Sequence, residues 1–167
     1  FICRRHLDYW AIADIHSIKR QIHSVGGHGG LEEIGFDVKL GRGGIREIEF
    51  YAQTQQLILG GRYEHLRQPG TVAALEVLTA FGAVDPDTQR ALEESYRYLR
   101  AVEHRIQMVA DEQTHTMPAD RQAREALARL CGYGRLDDFD ADVLDHRQRV
   151  HDAYIALFAQ EERLSDE

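Results

Sequence analysis

The chain has 167 residues, 43% of them hydrophobic and 29% charged, with three prolines and no low-complexity tract. That suits one soluble globular domain with a sizeable core and argues against disorder or two full domains. Lys and Arg total 20 against 28 Asp and Glu, a formal net charge of −8, which argues against broad nucleic-acid binding, since that mode needs a positive surface to release counterions. No apolar run is long enough to cross a bilayer, and Phe1-Ile2-Cys3-Arg4-Arg5 is no signal peptide, so the chain reads as a piece of something longer. The basic residues are almost all arginine, with Lys19 and Lys39 the only lysines. Cys3 and Cys131 lie far apart without a second pair. They argue against a disulfide framework or a cysteine zinc site and fit a reducing cytoplasm.

Leu7, Ala11, Ile15, Ile18, Ile22 and Val25 recur at steps of three and four, so the spacing predicts a long first helix with one apolar face. Gly26-Gly27-His28-Gly29-Gly30 ends it as a flexible loop. After an extended stretch around Phe36-Asp37-Val38-Lys39, Gly41-Arg42-Gly43-Gly44 opens a second helix from about Ile45 to Leu59, closed by Gly60-Gly61. A third runs from Thr71, read as its N-cap, to Phe81. Asp85-Pro86 is the strongest helix start: Asp caps, and Pro fills the first turn without losing a hydrogen bond. The helix behind it carries Leu92, Tyr96, Leu99, Val102, Ile106 and Val109 on one face and reaches about Asp111. A fifth spans about Ala119 to Leu130, and the last starts near Asp137 with Phe139, Val143, Val150, Tyr154 and Leu157 inward. Arg147 interrupts that stripe, so one turn there is expected to be partly exposed. Helix then covers roughly 70% of the residues, about twice the usual share. The expected fold is all-α: a bundle of about six helices in a single domain over 1–167, with mostly antiparallel neighbours and no repeat.

Most catalytic signatures are absent: there is no P-loop, no nucleophile elbow and no H-E-x-x-H pair. No metal site is expected. His16 and His23 share a face but stand two turns apart, and Asp138-Phe139-Asp140-Ala141-Asp142 reads as an acidic helix start favoured by the helix dipole.

Two segments resist a bland reading. In Lys39-Leu40-Gly41-Arg42-Gly43-Gly44-Ile45-Arg46-Glu47-Ile48-Glu49-Phe50, three glycines precede a helix. The first-turn amides could therefore bind an anion, with Lys39, Arg42 and Arg46 adding positive charge. The alternative is a glycine entry that lets two helices approach closely. Glu47 and Glu49 lie about 200° apart on an ideal helix, so one pairs with an arginine while the other faces a cleft. The second segment comprises Glu103, His104, Arg105 and Gln107, followed by a loop through Gln113, His115 and Pro118 that ends the fourth helix. Glu103 and Gln107 stand one turn apart and can share a partner. His104 has the chemistry for acid–base work, though a surface or capping role is the commoner one.

Together these strings resemble the helical domain of bacterial glutamine synthetase adenylyltransferase. The first continues through Gln53, Gln56-Leu57 and Gly60-Gly61-Arg62. The second comprises Leu99-Arg100, Glu103-His104-Arg105-Ile106-Gln107-Met108 and Asp111-Glu112-Gln113-Thr114-His115-Thr116-Met117-Pro118. The resemblance covers nearly the whole chain, most firmly residues 37–118. It implies a bifunctional parent of two similar halves, each a nucleotidyltransferase domain followed by a helical domain like this one. One half transfers AMP from ATP to a tyrosine of glutamine synthetase; the other removes it by phosphorolysis, releasing ADP. Both answer to the PII nitrogen-signalling protein and to glutamine. The Ile45–Phe50 wording, with Glu at 47 where the adenylylating half usually has Asp, resembles the AMP-removing half. A PII uridylyltransferase carries a related helical domain that fits the second string less well.

The resemblance thus implies Mg2+, ATP or ADP, and phosphate in the parent enzyme, with none held by this chain alone. It implies glutamine synthetase, PII and an adjacent nucleotidyltransferase domain as partners, with no nucleic acid and no membrane. The metal-binding residues of that catalytic domain match no position here and are expected upstream of Phe1. The chain alone is expected to be inactive. The implied role is a cleft wall in which Lys39, Gly41, Arg42, Gly43, Gly44 and Arg46 face phosphate or the catalytic domain, while Glu47 or Glu49 orients the arginines. The alternative is a regulatory module whose helical faces bind PII or join the two halves.

Overall fold

The structure is a computed structural model that describes Ser17, Gly30, Leu31 and residues 34–110 and 112–165, with side chains through residue 159. Apart from Ser17 and Gly30, the predicted first helix and the glycine loop around His28 lie outside the described residues, as do His16, His23 and Cys3. Those described form five α-helices: α1 (Ile45–Gly60), α2 (Thr71–Phe81), α3 (Pro86–Ala110), α4 (Arg121–Leu130) and α5 (Leu136–Ser165), with a 3-10 turn at Glu64–Leu66. The all-α reading holds. The nearest thing to a sheet among them is a single antiparallel bridge between Asp37 and Thr116.

The helix starts follow local chemistry. Asp85 caps α3, its Oδ1 accepting from the amides of Asp87 at 3.1 Å and Thr88 at 3.0 Å. The Thr88 hydroxyl, which donates to Asp85 Oδ2, and then those amides hold the Asp85 carboxyl below the usual carboxylate range. Asp120 caps α4 by accepting from Ala123 N at 2.8 Å. The cap of α2, however, is Gly70 and not Thr71, which is already helical. The chain behind α2 turns at Gly82 (φ 89°), and Ala83 N reaches Leu78 O at 2.9 Å, satisfying carbonyls the helix leaves open.

The two long helices, α3 and α5, pack along each other, and α1 contacts α2, α3 and α5. Their facing residues form one core that includes Ile45, Ile48, Leu75, Leu78, Leu92, Leu99, Val102, Ile106, Phe139, Val143 and Val150. Phe50, Tyr154 and Phe158 make a second, aromatic cluster where α1 meets α5, with centroids 4.8–6.0 Å apart. The expectation for Arg147 fails: the residue is 2% exposed and sits inside the bundle. A guanidinium can be buried there because backbone carbonyls and an aromatic face receive it, as described below. The acidic start of α5 is structural: Asp140 pairs with Arg124 of α4, and Asp142 accepts from the Tyr133 hydroxyl at 2.8 Å.

Candidate functional site

The chain before α1 turns back on itself. Asp37 Oδ1 accepts from the amides of Lys39 and Leu40, both at 2.8 Å, and Gly41 N donates to Asp37 O at 2.8 Å. That turn delivers the Val38 and Lys39 carbonyls to the helix entrance, where they accept from Ile45 N at 3.1 Å and Arg46 N at 2.9 Å. Gly44 N donates to Gly41 O at 3.0 Å. Gly43 N donates to Glu47 Oε2 at 2.9 Å, so the first-turn acid reaches back as a capping box does. The amides expected to be open to an anion are therefore engaged within the chain, which corrects that part of the sequence reading. The close-packing alternative describes the glycines better. Gly43 has φ +67°, and a Cβ there would lie 2.8 Å from Arg147 Cα and closer still to its carbonyl oxygen. A Cβ on Gly44 would meet three carbonyl oxygens at 2.7–2.9 Å. One on Gly41 would lie 2.5 Å from Asp37 O.

The charged side chains of the motif behave differently. Arg42 and Arg46 are exposed and Lys39 is half-buried. Arg46 Nη1 lies 3.4 Å from Glu49 Oε2, so Glu49 is the acid that pairs with an arginine of the motif. Glu47 is buried and turned into the bundle, where its Oε2 also lies 3.3 Å from His151 Nδ1 of α5. Burial pushes its carboxyl above the ordinary range, against the pull of His151, the Gly43 amide and Arg147. Glu47 thus holds the loop and does not face a cleft.

Arg147 was invisible as a site residue in the sequence. Its Nε donates to Arg42 O at 3.0 Å, its Nη1 donates to Leu31 O at 2.6 Å, and its guanidinium carbon lies 3.7 Å from the centroid of the Phe36 ring. The available signal was a charged residue within an apolar stripe, paired one turn later with His151. Such a residue is buried only if acceptors come to it, and those acceptors belong to the loop more than a hundred positions earlier.

The second cluster divides. Glu103 is buried and accepts from Arg100 Nη1 at 2.9 Å, and its Oε1 lies 2.7 Å from His115 Nδ1. Gln107 Nε2 lies 3.5 Å from the same His115 nitrogen, so Glu103 and Gln107 do share a partner. Arg105 turns to α4 and donates to Leu130 O at 3.1 Å, while His104 and Gln113 are exposed and outside this group. The two strings are nevertheless neighbours. Val38 N donates to His115 O and Met117 N to Phe36 O, both at 2.8 Å, on either side of the bridge between Asp37 and Thr116. The loop after α3 thereby braces the strand-like segment that feeds the glycine motif.

A family model described as GlnD PII-uridylyltransferase matches residues 16–158, which include both strings and the α5 residues that grip the first. The chain belongs to this family. GlnD PII-uridylyltransferase family relatives of this chain include proteins named bifunctional glutamine synthetase adenylyltransferase/adenylyl-removing enzyme. The one from Caulobacter vibrioides is 54% identical over 165 residues, covering 99% of this chain and 17% of that protein. Those from Xanthobacter autotrophicus and Agrobacterium fabrum are each 52% identical, over 95% and 100% of this chain and 16% and 17% of theirs. The chain thus spans about a sixth of the length of the relatives it matches. Among the described residues, no helix is long and apolar enough to cross a membrane.

Proposed function

We propose that the chain is the helical domain of the AMP-removing half of a bifunctional glutamine synthetase adenylyltransferase, and that its glycine motif is one wall of the phosphorolytic cleft. In that reaction an oxygen of inorganic phosphate attacks the phosphorus of AMP. The tyrosine oxygen of glutamine synthetase leaves, and the products are ADP and unmodified tyrosine. Two anionic groups must approach each other, so fixed positive charge and positioning supply most of the catalysis. The single observation that carries the reading is Arg42: an exposed residue carried on a loop whose backbone is held on both sides of it, at Gly41, at its own carbonyl, and at Gly43 and Gly44. Arg46, one turn further on and aligned by Glu49, adds a second charge, and Lys39 a third.

Magnesium would offset charge on the transferring group when bound in the parent enzyme. Among the described residues no group of three His, Cys, Asp or Glu side chains is placed to hold a metal ion. Lys39, Arg42 and Arg46 suit the phosphate side of the cleft. The adjacent nucleotidyltransferase domain is the proposed bearer of metal and nucleotide, glutamine synthetase the protein substrate, and PII the regulatory partner. The names of the relatives favour this reading over a PII uridylyltransferase.

The test uses the full-length enzyme and adenylylated glutamine synthetase. Arg42→Ala and Arg46→Ala should each lower phosphate-dependent ADP release by about ten-fold or more, as expected for lost charge stabilisation at a transferring phosphoryl group. Near-normal release by both variants would remove the cleft-wall reading.

A further inference from the structure

We infer that Arg147 of α5 is a positioning residue for Arg42, an inference that rests on the cleft-wall reading. The Arg42 carbonyl and the Gly43 amide belong to one peptide plane. Its oxygen accepts from Arg147 Nε at 3.0 Å, and its N–H donates to Glu47 Oε2 at 2.9 Å. Glu47 is in turn backed by His151, one helical turn after Arg147. Both poles of that plane are therefore held from α5, one directly and one through Glu47. The plane also has nowhere to rotate on its far side, because Arg147's own backbone abuts Gly43. That plane fixes where the Arg42 Cα sits, and the preceding plane is held at Gly41 O, which accepts from Gly44 N at 3.0 Å, so the two together set the direction in which the Arg42 Cα–Cβ bond leaves the backbone.

The buried guanidinium is itself held at two further points. It stacks on Phe36, and its Nη1 grips Leu31 O at 2.6 Å. Its two donors, diverging from a planar group onto two carbonyls, give a geometry that lysine cannot copy, since an ammonium reaches one of them at a time. Bundle stability alone gives no reason for a buried charge here, because well-packed apolar replacements of buried charges are often neutral or better. Orientation of the Arg42 peptide does give one. Arg42 then meets phosphate with only its side-chain freedom left to lose.

The test compares Arg147→Gln, Arg147→Lys, Arg42→Ala and the double variant Arg42→Ala/Arg147→Gln in the full-length enzyme. The readouts are kcat and KM for phosphate in ADP release, with adenylylation of glutamine synthetase as the control for folding. R147Q should raise KM for phosphate by about ten-fold or more, since a small misplacement of a positioning group carries losses of this order. Adenylylation should persist. R147K should fall between R147Q and the parent, and the double variant should be no worse than R42A within about two-fold. If R147Q also loses adenylylation, the decision passes to R147K, which keeps the charge. An impaired R42A beside an R147K and R147Q of parental KM would overturn the positioning inference alone, as would losses that multiply in the double variant. A parental R42A would overturn this inference, and a parental R42A together with a parental R46A would overturn the cleft-wall reading as well.

Discussion

Gly43→Ala separates two reasons for a glycine, and their magnitudes can be worked out in advance. A left-handed backbone at φ +67° costs an alanine about 1–2 kcal/mol. The added methyl would also press into the Arg147 backbone, with Cα at 2.8 Å and the carbonyl oxygen nearer. Neither element can yield easily, because α5 is anchored in the core on both sides of Arg147 by Val143 and Val150. Overpacking of this kind costs about 1–3 kcal/mol. Displacing the loop would also loosen the Gly43 N–H bond to buried Glu47, worth about 1–3 kcal/mol when a buried partner is left unpaired. The sum is roughly 3–8 kcal/mol, a large share of the 5–15 kcal/mol typical of a domain. Gly82 is the internal control: it has φ +89° but nothing within 4 Å of an added Cβ, so Gly82→Ala carries only the backbone term of about 1–2 kcal/mol. Urea denaturation followed by helical circular dichroism measures both. Equal losses in the two variants would refute the close-packing account of Gly43.

Glu47→Gln should flatten the pH dependence of stability above pH 4.5. Burial raises the Glu47 carboxyl in the fold, so its stabilising contribution is complete below the unfolded value and is lost as pH rises through the folded one. A glutamine keeps an acceptor for Gly43 N without that loss, and an unchanged urea-midpoint profile from pH 4 to 7 would contradict this. His146 has the opposite sign. Burial, helped by Arg149 and opposed by Asp145, Asp142 and Glu94, lowers its pKa, while it shares a 2.9 Å hydrogen bond with Ser95 and stacks on Tyr98 at 4.1 Å. Its contribution is present above about pH 6.5 and fades as pH falls through the lowered folded value. His146→Gln should therefore reduce the acid-side loss of stability in the same titration, and a steeper loss would count against it. Asp85→Ala should lower stability by about 1 kcal/mol through loss of the α3 cap, read as a shift in urea midpoint.

The elements legible in the sequence were those whose causes are local. Asp85-Pro86 announces α3 because cap and first turn lie within four residues. The apolar stripe of α3 gives its inward face, and glycine with positive φ closes α2 and α4. Thr71 misled because a glycine can cap as well as a hydroxyl residue, and Gly70 stands one position earlier. The site was legible only as a string. That the amides of Gly41, Gly43 and Gly44 are engaged depends on the chain folding back at Asp37 and on Glu47 turning inward. That Arg147 is buried depends on carbonyls 105 and 116 positions away. Glu47 and His151 are likewise 104 positions apart. Helical period places Arg147 on the inward stripe, but only those distant acceptors decide whether the stripe tolerates a charge. In the motif the glycines pack, and Arg42 and Arg46 are exposed.

The most direct measurement is a crystal structure of the AMP-removing half, with this helical domain joined to its catalytic domain, bound to ADP or to phosphate. On the cleft-wall reading the Arg42 guanidinium stands within hydrogen-bond reach of a phosphate oxygen, about 2.7–3.2 Å, with the Arg42–Gly43 peptide still gripped by Arg147 and Glu47. A bound phosphate group contacted only by the catalytic domain, with Arg42 and Arg46 turned to solvent, would contradict it.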